Sequence, residues 1–241
     1  MKILTLDIET SPHLGFFFGL FNQNFSLQQV EEFTRVLCFA AKWHDEDGVM
    51  FFSDFHDGHE NMIDAGFQLL SEADVLVTYN GDGFDLKHMN REFLLAKKGE
   101  PAPYQSVDLW KVNKAKFKFG STKLDHLAQQ LGIGQKIKHA GFKLWIDCLN
   151  GDIEAWSKMR EYNKEDVVLT EQAFDDLKGW IPNLPHAGLY NEVEFSCRCG
   201  STDLEKRGFH YTQISKFQRY KCRTCGRWSR DSKAEFRVEV S

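Results

Sequence analysis

The stretch Ile3-Leu4-Thr5-Leu6-Asp7-Ile8-Glu9-Thr10 decides the fold. Its apolar residues alternate and are β-rich, so it reads as a strand. Side chains alternate faces along a strand, which sends Asp7 and Glu9 one way and Leu4, Leu6 and Ile8 the other. Two carboxylates on one face of a buried strand are costly unless something positive sits between them. A hard divalent cation, Mg²⁺ or Mn²⁺, meets that need because it prefers oxygen ligands. Asp-x-Glu also fits a solvated strand end, so the other acids of the chain must decide.

A length of 241 residues allows one large domain, or one domain with a small appendage. The hydrophobic content of 42% suffices for an ordinary globular core. The N-terminus lacks a basic n-region and an apolar h-region, and no apolar run approaches about 18 residues. The expectation is therefore no signal peptide, no membrane span and a cytoplasmic protein. In such a reducing compartment the six cysteines favour metal binding over disulfides. The net charge of −5 is unevenly placed. Residues 191–241 hold 11 Lys and Arg against 7 Asp and Glu, a net of +4, which leaves −9 on the rest. An acidic part gathers cations and a basic part gathers phosphates.

Residues 11–27 are irregular and rich in Phe (Phe16, Phe17, Phe18, Phe21, Phe25). Most of these rings are expected in the core, with one or two left to line a groove and stack on bases. Residues 36–43 and 49–53 read as strands, joined by His44-Asp45-Glu46-Asp47-Gly48 into a hairpin near the first strand. Residues 60–72 carry Ile63, Phe67 and Leu70 at helical spacing. Residues 75–79 form a short β-branched strand that runs into the turn Asn80-Gly81-Asp82-Gly83. Phe84-Asp85 then opens a helix to about residue 97, and residues 107–110 suggest another short strand. Residues 122–131 read as a helix, with Thr122 and Asp125 approximating a capping box. Residues 133–149 are loop-like in part. A last long helix covers about 152–179, with a break near Tyr162-Asn163 left open. Two prolines in Trp180-Ile181-Pro182-Asn183-Leu184-Pro185-His186 end the domain. The pattern implies a mixed α/β sheet flanked by helices over residues 1–180, a linker at 181–190 and a small domain at 191–241.

Asp85 lies just after the strand at 75–79, where such a sheet places its functional loops. Tyr162 and Asp166 are four apart on a helix and share a face that Leu169 and Ala173 continue toward the protein. A buried Asp there asks for a partner, and a metal shared with Asp7 supplies one. At this point the sequence resembles the DnaQ-like 3′→5′ exonucleases of the ribonuclease H-like superfamily. Asp7-Ile8-Glu9 resembles their first motif. Asn80-Gly81-Asp82-Gly83-Phe84-Asp85 resembles the second, in a form close to family B polymerase proofreading domains. Tyr162-x-x-x-Asp166 resembles the third in its tyrosine variant (DEDDy). The histidine variant needs His at position 161, which is Glu.

The resemblance covers roughly residues 1–180 and implies catalysis by Asp7, Glu9, Asp85, Tyr162 and Asp166. The four acids would hold two Mg²⁺ or Mn²⁺ ions roughly 3.5–4 Å apart, one activating a water and one stabilising the leaving 3′ oxygen. Tyr162, with an ordinary pKa of about 10, would orient the water rather than act as a base. In the second motif Asn80 and Phe84 are candidate nucleic-acid contacts. Asp108 is the candidate outer helper among the remaining acids. The lysines of residues 111–118 read as a solvated face or a strand path, and His139 and Lys143 as surface or phosphate contacts.

Cys197-Arg198-Cys199-Gly200 and Cys222-Arg223-Thr224-Cys225-Gly226 form two close pairs. Four thiolates in two knuckles fit one tetrahedral structural Zn²⁺, and so small a segment needs a metal to fold. The segment resembles a zinc ribbon, although its first pair is Cys-x-Cys where ribbons have Cys-x-x-Cys. That spacing leaves His210 open as a substitute ligand for Cys197. Cys38 and Cys148 read as buried core thiols. Residues 206–233 hold nine Lys and Arg against one acid, interleaved with aromatic rings. Lys206, Arg207, Tyr211, Lys216, Arg219 and Lys221 are the candidate strand contacts. Residues 211–222 also resemble zinc-ribbon segments of transposases and phage nucleases, which points to a bacteriophage or mobile-element setting and a host cytoplasm.

Together these features imply a stand-alone metal-dependent exonuclease that removes nucleoside monophosphates from the 3′ end of DNA, single-stranded or at a 3′ end. A replication or recombination protein is the expected protein partner. The competing readings are a nuclease of the same chemistry on RNA or structured sites, a proofreading subunit of a polymerase, and a catalytically silent binding module.

Overall fold

Strand β1, Ile3–Thr10, runs through the middle of a five-stranded sheet, and its alternation sorts the molecule into two sides. The computed structural model describes residues 1–19, 21, 24–44 and 46–239. After β1 come β2 (Leu14–Gly15), β3 (Val30–Glu32), β4 (Val36–Trp43), β5 (Met50–Ser53), α1 (Asp54–Asp57) and α2 (His59–Glu72). Next are β6 (Val75–Thr78), α3 (Asp85–Leu95), β7 (Gln105–Asp108), α4 (Leu109–Lys116), α5 (Leu124–Leu131), α6 (Lys143–Leu149) and α7 (Ile153–Leu177). The chain ends with α8 (Gly188–Asn191), β8 (Leu204–Tyr211), β9 (Ser215–Cys222), β10 (Trp228–Arg230) and β11 (Phe236–Arg237).

The sheet order is β5-β4-β1-β6-β7. The β4–β5 hairpin is antiparallel, β1 runs antiparallel to β4, and β1, β6 and β7 are parallel. Position 45 in the hairpin turn lies outside the described residues. Leu4, Leu6 and Ile8 of β1 pack with Phe39, Met62, Leu70, Met89 and Phe93 beneath α2 and α3. On the other face, Val75, Val77 and Val107 pack against Ala173, Phe174 and Leu177 of α7. Cys38, across from Glu9, packs there with Leu144, Cys148, Trp156 and Met159.

Helix α7 therefore lies across the face to which Asp7 and Glu9 point. Its buried stripe, Ala155, Met159, Tyr162, Asp166, Leu169, Ala173 and Leu177, repeats at helical spacing. Asp152 caps it by accepting the N–H groups of Glu154 and Ala155. The helix passes through Tyr162-Asn163 without a break, because the Asn163 amide N–H groups donate to Asp7 on β1 and do not compete for the helix backbone.

Three local expectations are corrected. The Phe-rich rings are exposed: Phe16, Phe17, Phe21 and Phe25 keep more than half their surface and Phe18 is fully open. Both sheet faces are already covered by helices, and the two-stranded β2–β3 ribbon has no core of its own to bury them. The capping box at Thr122 is absent, since α5 starts at Leu124 after Lys123. Thr122 instead accepts from the Tyr79 hydroxyl at 2.7 Å, and Asp125 accepts the Lys136 N–H at 2.8 Å. Residues 109–110 are helical because Asp108 accepts the Trp110 N–H and starts α4.

In the C-terminal sheet β9 pairs with β8 on one edge and with β10 and β11 on the other. The sheet is docked on the end of α7. Arg227 donates to the carbonyls of Lys178 and Ile181, and Arg198 donates to that of Pro182 at 2.8 Å. The Cys225 carbonyl lies so close to Gly179 that a Cβ there has no room. Ile181 and Leu184 of the connecting segment are buried in the main core.

Phe39→Ala should lower the unfolding free energy by about 3–5 kcal/mol, the usual cost of emptying a buried ring site. Phe18→Ala should change it by less than about 0.5 kcal/mol, as exposed substitutions do. Urea titrations of the two variants check this, and equal losses would contradict the placement of the rings.

Candidate functional site

Asp7 and Glu9 leave β1 on one face and meet Asp166 from the middle of α7. One carboxylate oxygen of each lies within 4.8 Å of the others. Asn163, one helical turn before Asp166, ties the helix to the strand. Its amide donates to Asp7 Oδ2 at 2.7 Å and to the Asp7 carbonyl at 3.1 Å. Trp145 of α6 donates to Glu9. Asp85 stands just outside this trio. Strand β6 pairs with β1 only through Ile3, Leu4 and Thr5, so the Ile8 N–H is left for Asp85 Oδ1, which accepts it at 3.0 Å. The turn before Asp85 needs Asn80 in the left-handed region, at φ 71°, and its N–H donates to Asp108 Oδ1 at 2.8 Å.

Acids packed this way resist ionisation. Burial, then the charges of Asp85, Asp166 and Glu9, push Asp7 well above the usual carboxylate range. Burial and Asp166 push Glu9 up to about 8, and burial pushes Asp85 up to about 7. Burial also raises Asp166, against the pull of Lys136 and Tyr162. Lys136 supplies the local positive charge. Its Nζ donates to Asp166 Oδ2 at 2.6 Å and to the Tyr162 hydroxyl at 3.3 Å. Burial disfavours the Lys136 ammonium, but Asp166, Tyr162 and Asp7 outweigh it and hold it above the ordinary lysine range. Burial and the neighbouring acids raise Tyr162 as well, so its hydroxyl keeps its proton.

The donor set fits hard cations. It is all carboxylate oxygen, and Asp166 Oδ1 is buried without a hydrogen-bond partner, so a lone pair is free for a metal. The site opens into a cleft of about 400 Å³ lined by Asp7, Tyr79, Asn80, Trp110, Asp125 and Lys136. Phe84 sits 40% exposed against the His88 ring. Asp108 acts through its caps on Asn80 and Trp110 and through its charge on Asp85. Lys143 is paired with Asp147, and His139 packs on the Tyr162 ring.

Sequence reasoning missed Lys136, Asn163 and Trp145. Asn163 carried a signal, being a polar residue three before Asp166 on the buried stripe. Lys136 and Trp145 carried none, because Lys136 lies in an irregular stretch and the short helix α6 that carries Trp145 fell in a stretch read as partly loop.

The second cluster gathers Cys197, Cys199, Cys222 and Cys225, whose sulfurs lie within 4.8 Å of one another. Cys197 and Cys225 are 3.6 Å apart, and Cys199 and Cys222 are 3.8 Å apart. A Zn–S bond of about 2.3 Å gives a tetrahedral edge of about 3.8 Å, so the four thiols fit zinc, whereas a disulfide would need about 2.05 Å. His210 does not join them. It lies on β8 opposite Phe217, and the Cys-x-Cys turn places both thiols without its help.

With divalent cations withheld, the unfolding free energy should fall as pH rises from about 4 toward about 8. Glu9 and Asp85, at about 8 and about 7, keep protons in the folded state that the unfolded chain releases near ordinary values of about 4. Mg²⁺ at pH 8 should restore the loss. Urea titrations at several pH values, with and without Mg²⁺, check this, and a flat profile would contradict it.

Among the described residues no helix is long and apolar enough to cross a membrane. Comparison with curated proteins gives no match. Residues 4–178 match the RNase_H superfamily, a span that runs from the strand bearing Asp7 and Glu9 to the end of the helix bearing Asp166. The chain belongs to the RNase_H superfamily, and its acid cluster is that of a metal-dependent hydrolase with a separate four-cysteine module at its C-terminus.

Proposed function

We propose that the protein is a metal-dependent 3′→5′ exonuclease that acts on DNA and releases nucleoside monophosphates. The observation that carries this is the meeting of Asp7, Glu9 and Asp166 beside an open cleft that Asp7 and Lys136 line, with a buried oxygen of Asp166 unpartnered. Residues 1–180 form the cutting domain, residues 181–190 the connection and residues 191–241 a zinc ribbon that holds or guides the strand. A phage-encoded enzyme working beside replication or recombination proteins in the host cytoplasm fits this organisation.

Asp7, Glu9, Asp85 and Asp166 would hold two Mg²⁺ or Mn²⁺ ions, which when bound supply Lewis acidity toward water and toward the leaving 3′ oxygen. The protein's own groups set the stage for that chemistry. Tyr162 keeps its proton and so orients water by donating a hydrogen bond. Lys136 keeps its charge beside Asp166 and offsets negative charge that develops on the phosphate. Asn163 fixes Asp7, and the Ile8 N–H fixes Asp85. Asn80 lines the cleft and Phe84 is exposed nearby, where each can meet the terminal nucleotides.

Asp166→Asn and Asp7→Ala should each lower Mg²⁺-dependent cleavage by at least about 100-fold, since even residues that only support a metal ligand cost 10–100-fold. The product ladder from end-labelled single- and double-stranded DNA, RNA and circular DNA tests the reading. Stepwise shortening from the 3′ end of DNA supports it, while cleavage of circles or preference for RNA would overturn the exonuclease or the DNA assignment. Cys222→Ser should release zinc, measured by mass spectrometry, and weaken strand binding while slow hydrolysis persists. Unchanged zinc content would contradict the four-cysteine site.

A further inference from the structure

The register of the C-terminal sheet sorts its basic and aromatic residues onto two faces. Residues directly paired across antiparallel strands share a face, and alternate residues along a strand share one too. Lys221 pairs with Trp228, Arg219 with Arg230, and Phe217 with His210. Phe217, Arg219 and Lys221 alternate along β9, so all six residues lie on one face. Lys206, Tyr211 and Lys216 pair or alternate onto the opposite face, with Phe209, Tyr220 and Phe236. The candidate strand contacts read from the sequence are therefore divided between two surfaces that one strand cannot lie on at once.

The second face is occupied in part by the protein itself, around Tyr220 and Phe209, while Lys206, Tyr211 and Phe236 at its margins stay exposed. Tyr220 is buried, its ring edge-on to Phe195 and its hydroxyl donating to Asp231 at 3.1 Å. Lys216 stands over the Phe209 ring at 3.6 Å and pairs with Glu235 at 3.5 Å. The first face is open, with Arg219, Lys221, Trp228, Arg230 and His210 exposed. Arg219 stands 4.7 Å from the Trp228 ring centre, and Arg230 stands 3.8 Å from that of Phe217. Glu205, the acid that the register puts on this face, is engaged by Arg207 at 3.0 Å and Arg223 at 3.6 Å.

We propose that this face, and not its opposite, is a platform for single-stranded nucleic acid, an assignment that rests on the nuclease reading above. Trp228 and Phe217 stack on bases, while Arg219, Lys221 and Arg230 contact phosphates. Among the described residues the register puts no free acid between these cations, and such a face calls for a polyanion. Rings interleaved with those cations call for unpaired bases, which a duplex or an acidic polypeptide does not present.

The test uses the full chain and a fluorescein-labelled oligothymidylate of about 20 nucleotides, longer than a ~16-nucleotide site, read by anisotropy without added Mg²⁺. Trp228→Ala and the double change Arg219→Ala/Arg230→Ala should each weaken binding about tenfold or more. Trp228→Phe, which keeps a ring, should bind nearly as the native protein does. Lys206→Ala/Lys216→Ala should cost less than about twofold, an effect outside the stacking range. The arginine double change should also make the salt dependence shallower by about 0.7 per lost phosphate contact. Thermal unfolding midpoints confirm folding, and if Trp228→Ala is destabilised the arginine pair carries the test. Equal losses from both faces, Trp228→Phe as weak as Trp228→Ala, or competition by duplex or polyglutamate as strong as by single strand would overturn the assignment. A native protein that cuts DNA yet ignores these substitutions would sink this assignment alone. A native protein that neither binds nor cuts the strand would sink the nuclease reading with it.

Discussion

The structure depends on three carboxylates held closer together than their charges permit. Two unit charges 4.8 Å apart repel by about 3 kcal/mol at an effective dielectric of about 20. Three such pairs approach about 10 kcal/mol, comparable to the whole stability of an ordinary domain at about 5–15 kcal/mol. Asp7, Glu9 and Asp166 therefore cannot all be ionised unless positive charge is brought among them. Lys136 brings one charge, held at 2.6 Å from Asp166. Retained protons relieve the rest in the free protein, in keeping with the upward shifts of Asp7 and Glu9 under burial and the charges of neighbouring acids. Divalent cations bound as proposed would relieve it with the acids ionised, and the same packing that is a burden alone would then serve as a binding site.

The rest of the fold keeps that packing in place. The even residues of β1 enter one core and anchor the strand, which leaves the odd residues Asp7 and Glu9 no choice of face. Helix α7 is fixed above them by Met159 on one side of Asp166 and by Ala173, Phe174 and Leu177 on the other. The acid thus sits in the middle of a helix pinned at both ends, where a slide along the sheet would break two clusters. The early end of β6 frees the Ile8 N–H, and Asp85 takes it. A longer β6 would have used that donor in the ladder and left Asp85 unanchored.

Period and spacing made the two regular elements of the site legible in the sequence. Alternation placed Asp7 and Glu9 together, and a four-residue step placed Tyr162 with Asp166. Neither depends on anything far away in the chain. Lys136 was not legible because it lies in a stretch with no period, pinned by an Asp125 side chain whose local spacing suggested a helix cap instead. The phenylalanines misled for a related reason. A run of rings signals burial only if uncovered sheet remains, and the helices that cover both faces lie elsewhere in the sequence. Strand register, likewise invisible in composition, is what separates Arg219 from Lys216 although both lie on β9.

The same helix joins the two clusters. From Asp166 to Leu177 it advances about 16 Å, at about 1.5 Å per residue. Its continuation then accepts the Arg227 guanidinium on the carbonyls of Lys178 and Ile181. Positive charge at the carboxyl end of a helix is favourable, because unpaired carbonyls collect there. Arg227 sits two residues after Cys225, so it reaches those carbonyls only while the second cysteine knuckle is folded. Loss of the thiolate cluster would therefore release the C-terminal sheet from the end of α7. Asp166 would stay, because Ala173, Phe174 and Leu177 hold the intervening turns to the main core independently. The acid cluster is thus insulated from the fate of the cysteine cluster, while the position of the basic face relative to the acids depends on it.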